Sequence, residues 1–218
     1  MDKKYELTDE TIEDEVGHIL HRIRALKSFS DVKKGDLGGF IESEDNLSQE
    51  GNCWVSEDAW VYEDAQVFGN AEVFGDAQVF GNAEVFGDAQ VFGIAWVYEN
   101  ARVFGDAQVC RNAKVFGDAR VSGDAQVCGK AKVFRDAKVC GNAKVTSMDD
   151  YSTISNFGTQ YRTTTFFRCE DGEIRVLCGC FYGTIPEFRN QVKNTRKGKI
   201  AEEYLLIADL MEKHFSKR

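Results

Sequence analysis

Small and branched apolar residues alternate through the middle of the chain with a period of six. Valine stands at every sixth position from Val55 to Val145, sixteen hexads without an insertion. Alanine precedes each valine by two residues from Ala59 to Ala143, and Cys53 takes that place in the first hexad. The unit is A-x-V-[FYC]-G-[DN], as in "DAQVFGNAEVFGDAQVF" at 76–92. A-x-V is a strand of period two, with Ala and Val on one side and x on the other. Gly-Asp or Gly-Asn then turns the chain, because glycine accepts positive φ and Asx side chains bond nearby backbone. Strands this short cannot bury a face alone and must stack on copies of themselves, which predicts a solenoid.

The flanks do not repeat. In residues 1–50, "KKYELTDETIE" and "HILHRIRALKSF" predict a hairpin around the acidic "EDEVG", a β cap for the first coil. Residues 51–148 are the repeat, and 149–218 form an α+β unit. There "YSTISNFG", "YRTTTFFRCE" and "EIRVLCGCFYG" read as strands, with Asp171-Gly172 as a hairpin turn. "TIPEFRNQVKN" reads as a helix with Thr184 as N-cap, Pro186 in the first turn and Glu187 behind it. "AEEYLLIADLMEKHFSKR" is amphipathic, with Tyr204, Leu205, Ala208, Met211 and Phe215 near one face.

An aliphatic residue every six, with a small residue two before it, resembles the hexapeptide repeat of left-handed parallel β-helices. The resemblance implies a mainly β fold with three hexads per triangular coil, about five coils, and residues 18 apart stacked. On that geometry one outer column is Tyr62, Phe80, Tyr98, Phe116 and Phe134, beside Trp60, Gln78, Trp96, Lys114 and Lys132. Stacked aromatics stabilise a solenoid through neighbour contacts. A large apolar patch also marks an interface, so the face of Trp60 and Trp96 is the candidate partner-binding surface.

Charge divides the chain. Residues 51–100 hold nine acids and no base, and residues 101–150 hold six acids and nine bases. The acidic half disfavours direct nucleic-acid binding but suits a basic protein partner. Glu63, Asp64, Glu72 and Glu84 are the candidate acidic contacts. No apolar run is long enough to span a membrane, and no signal-peptide core precedes the repeat. Seven cysteines without framework spacing read as reduced thiols of a cytoplasmic protein. Cys110 and Cys128 replace Phe in the repeat and read as small apolar fillers. Cys178 and Cys180 read as same-face residues of one buried strand.

Acyltransferases of the hexapeptide type need a histidine base near the coils. His18, His21 and His214 all lie outside residues 51–150. The three histidines of a γ-class carbonic anhydrase metal site are missing from the coils too, so no enzyme, metal or cofactor is expected. The chain as a whole resembles small acidic hexapeptide proteins associated with phages and prophages, of the polymer-forming, cytoskeletal-like class. That resemblance implies a non-enzymatic inhibitor of a host defence system, anti-CRISPR-like, seated on an effector nuclease. An acyltransferase with an inter-subunit site, using His18 or His21, is the alternative. A third reading is a structural spacer that forms a homo-oligomer through the C-terminal domain or the aromatic face.

Overall fold

A computed structural model describes residues 3–216. It is mainly β: a β-solenoid of about six turns, a small antiparallel sheet and a C-terminal helical region. The hexads form three parallel faces. The first holds Trp60–Val61, Gln78–Val79, Trp96–Val97, Lys114–Val115 and Lys132–Val133. The second runs from Gln66–Val67 to Lys138–Val139, and the third from Trp54–Val55 to Lys144–Val145. Residues 18 apart pair in register, as Val79 with Val97 and Val97 with Val115. Every valine of the series is buried, and so is every alanine that precedes one. A buried valine contributes about 1.5–2 kcal/mol, and the β-branched column fits the pleat without rotamer loss.

The corners between faces use left-handed backbone. Gly87 has φ 75°, and a Cβ there would lie 2.9 Å from the Gly105 nitrogen of the next coil. Gly87→Ala is therefore expected to cost about 2 kcal/mol, through the left-handed penalty and crowding. A lower urea midpoint with an unchanged slope would verify it.

The N-terminal segment does more than cover the first coil. Strands Tyr5–Glu13 and Ile19–Ala25 form an antiparallel hairpin, and Leu37–Ile41 continues that sheet antiparallel. Leu37–Ile41 then pairs parallel with the first face, Phe40 against Trp60 and Ile41 against Val61. Leu47 bridges Val67 on the second face. The axis thus gains a partial coil ahead of the valine series. Gly39 permits the close approach, since a Cβ there would stand 2.6 Å from the Ala59 oxygen. The edge strand carries a register shift between Leu7 and Thr11 and the charged Glu6, Asp9 and Glu10. These features discourage edge-to-edge pairing.

Similar serine turns stand at both ends of the coils. Ser43 caps the short turn Glu44–Asn46, and Ser147 caps Met148–Asp150, each with a reciprocal capping box. Asn46 donates its amide to the Glu63 and Ala65 oxygens. Asp150 accepts from the Thr146 and Ser147 nitrogens at 2.9 and 3.0 Å. The C-terminal sheet, Tyr151–Phe157, Arg162–Arg168, Ile174–Cys178 and Phe181–Thr184, closes the last coil. Thr165 Oγ1 accepts from the Lys138 nitrogen at 3.0 Å, and Ala143 bridges Cys169. Helices Ile185–Thr195 and Gly198–Phe215 pack behind this sheet around Phe166, Phe188, Tyr204 and Met211. Thr184 and Glu187 form the capping box of the first helix. Among the described residues, no helix is long and apolar enough to cross a membrane.

Two cysteine expectations are corrected. Cys110 and Cys128 are joined as a disulfide, with a Cα separation of 4.7 Å. Register places them on neighbouring strands of the third face, pointing the same way, so they are neither reduced thiols nor mere fillers. Cys178 and Cys180 do not share a strand. Gly179, at φ 64°, reverses the chain between them and leaves Cys180 exposed.

Candidate interaction face

The first face is the longest outer surface, because the N-terminal strands extend its five hexad strands to eight. Its outward residues form one ladder, Trp60, Gln78, Trp96, Lys114 and Lys132, headed by Phe40, which is buried beneath Arg22. Each is the x of its hexad or its N-terminal equivalent, forced outward because the neighbouring valine faces in. Cations cover two of the rings. The Arg22 guanidinium lies 4.2 Å from the Phe40 centroid, and Lys114 Nζ lies 3.5 Å from that of Trp96.

Beside the ladder runs the aromatic column. Tyr62, Phe80, Tyr98, Phe116 and Phe134 stack with centroids 4.9–5.3 Å apart and planes within 10°. This is the strand spacing itself. Tyr62 is buried, and the other four are half-buried. Burial, with Asp14 and Glu63 nearby, pushes the Tyr62 hydroxyl up to about 12. Trp60 and Trp96 are half-buried, and Trp96 meets Phe80 and Tyr98 edge-on. Glu63 and Asp64 are exposed at the corner of this face.

Two predicted contacts lie elsewhere. Glu84 is on the second face, half-buried and paired with Arg102 at 2.7 Å. Glu72 is on the third face, where it accepts from Gln90 at 3.1 Å. The acids therefore do not gather into one patch. Acid is concentrated in the first coils, and base at the x positions of the later ones.

Sequence reasoning missed the imidazole at the head of the column. His18 lies against Tyr62 with ring centroids 5.5 Å apart and planes tilted by 44°, and its Nδ1 lies 2.9 Å from Asp14 Oδ2. The Asp14 hydrogen bond raises the His18 pKa against the opposing effect of burial. Burial pulls the Asp14 carboxyl upward, but hydrogen bonds from His18, Val16 and Gly17 outweigh it and bring the carboxyl to about 2. The signal was the D-E-V-G-H turn, in which Asp14 also accepts from the Val16, Gly17 and His18 nitrogens. A buried cation was missed too. Lys4 Nζ donates to the Cys53 oxygen at 2.9 Å and to its sulfur at 3.2 Å, locking the hairpin to the first hexad.

The fold and this face define a β-solenoid repeat protein with capped ends. Residues 113–129 match the family described as "YdcK Beta solenoid repeat". A 37-residue stretch is 49% identical to a protein of Escherichia coli (strain K12) described as "Uncharacterized acetyltransferase YdcK". The match covers 17% of this chain and 11% of the length of that relative.

Proposed function

We propose that the protein is a non-enzymatic interaction module whose rigid solenoid presents the first face to a protein partner. The observation that carries this reading is the unbroken ladder with its two half-buried tryptophans beside a continuous aromatic column. Such a face is wider than coil-to-coil stacking requires, since the second face loses its aromatics after Phe104 and the third after Phe92. The nine acids of residues 51–100 favour a basic partner. A defence nuclease inhibited by a phage- or mobile-element-encoded module is the narrower form of the reading. Affinity capture under increasing salt tests it. Trp60→Ala combined with Trp96→Ala is expected to weaken partner binding at least about tenfold, as removal of interface anchors does. If neither partner binding nor self-association changes, the first face is not the interface.

The likeness to a protein described as an acetyltransferase favours a second reading, an acyltransferase. His18 supports it, since Asp14 orients its ring at Nδ1 and leaves Nε2 to act as a base. Saturable binding of acetyl-CoA, with acetyl transfer that is lost in His18→Gln while acetyl-CoA still binds, would decide for this reading over the first.

A further inference from the structure

The first face carries an internal match of opposites about the coil of Trp96, Tyr98 and Glu99. Two coils toward the N-terminus stand Trp60 on the ladder and Glu63 at the corner. Two coils toward the C-terminus stand Lys132 on the ladder and Arg135 at the corner. Glu63 and Arg135 are both exposed, and both have φ 57°, so they leave the same corner with the same backbone geometry. Neither Lys132 nor Arg135 has an ion pair among the described residues; Arg135 lies 5.5 Å from the Phe134 ring and near the Tyr151 hydroxyl.

We infer that a second copy of this chain packs antiparallel on the first face, with the two-fold axis along the strand direction at the level of Trp96. This rests on the reading of that face as an interface and names its occupant. Rotation about such an axis reverses the order of the coils and preserves position across the face. Trp60 then meets Lys132 of the second copy, and Glu63 meets Arg135. Phe80 meets Phe116, while Tyr62 is already covered by His18 and Leu20 of its own hairpin and takes no part. Each contact occurs twice. A parallel arrangement would set acidic coils against acidic coils, which disfavours it. The basic surface that the acidic half calls for is thus present on the chain itself. The C-terminal sheet anchors to the last coil at Lys138 and Ala143, on the second and third faces, and Lys132 and Arg135 stay exposed. Glu99 is the misfit, since it faces its own copy near the axis.

Sedimentation equilibrium of the full chain tests the pairing, with circular dichroism to establish that each variant is folded. The wild type is expected to dimerise, more weakly at high salt. Glu63→Arg and Arg135→Glu should each weaken the dimer about tenfold or more, because each sets like charges together twice. Mixing the two variants should restore it, since every 63–135 contact in the heterodimer is again of opposite sign. Glu99→Gln should tighten the wild-type dimer. A mixture of folded variants that stays monomeric overturns the inference. So does a wild type that is monomeric at about 100 µM. In that second case the proposed function still stands if capture of another protein depends on Trp60 and Trp96.

Discussion

Asp150→Ala is expected to destabilise the fold by about 1.5 kcal/mol, seen as a lower urea midpoint. The carboxylate ends the solenoid in place of another coil. Each coil but the last passes its N–H groups to carbonyls of the next, as Trp60 does to Ala77 and Trp96 to Ala113. Among the described residues, no strand follows Lys144–Val145 on the third face. One oxygen of Asp150 takes the Thr146 and Ser147 nitrogens and both hydroxyls, at 2.8–3.2 Å. Arg168 stands 3.6 Å from the other oxygen and ties the cap to the C-terminal sheet. Alanine would leave these part-buried donors partly to water, at a cost toward the lower end of the roughly 1–3 kcal/mol for an unsatisfied donor. Asp150→Asn keeps one acceptor and should lose less. Burial pulls the carboxyl pKa upward, but the Thr146 and Ser147 hydrogen bonds outweigh it, and the net shift is downward. A depressed folded value means that the contribution is complete above the unfolded pKa of about 3.9. It fades as pH falls through the folded value. The difference between wild type and Asp150→Ala should therefore shrink in acid. A difference that stays constant down to about pH 2 would contradict the role.

Those end turns mark the limit of what periodicity reveals. The valine series was legible because one residue type repeats at one spacing, and stacking 18 apart then fixes every outer column. The extra partial coil was not, because Phe40, Ile41 and Leu47 stack on Trp60, Val61 and Val67 at a spacing of 20. Two added residues and a change from valine to isoleucine and leucine hide it from a hexad reading. The face of Trp60 and Trp96 was legible for the same reason as the core. Its continuation through Phe40 and Arg22 was not, since antiparallel pairing of the hairpin follows no fixed offset from the hexads. Lys4 and the seat of His18 on the aromatic column escaped because Cys53 and Tyr62 lie more than 40 residues away, although the Asp14 turn that holds His18 is local. "CGC" misled because alternation in sequence does not distinguish a continuing strand from one that turns at a glycine.

Reduction of the Cys110–Cys128 bridge is expected to cost about 3 kcal/mol. On the third face Phe74 and Phe92 stack 4.8 Å apart, and the next two coils place cysteines in the same column. Parallel strands in register hold equivalent Cα atoms at the strand spacing. The observed 4.7 Å lies within the range a disulfide spans. The strand register already holds the two Cα atoms at bridging distance. It closes a loop of one coil in the unfolded chain, with a sequence separation of 18, and the chain-entropy estimate follows from that length. The urea midpoint of the wild type should fall on adding a thiol reductant. The double variant Cys110→Ala with Cys128→Ala should start lower and not respond. Titration of unreduced, denatured protein should count the five free thiols Cys53, Cys140, Cys169, Cys178 and Cys180. Seven thiols, or a wild type indifferent to reductant, would show that the column is held by packing alone. Because a reducing compartment keeps such pairs open, the same measurement fixes how much of the third face's stability depends on where the protein resides.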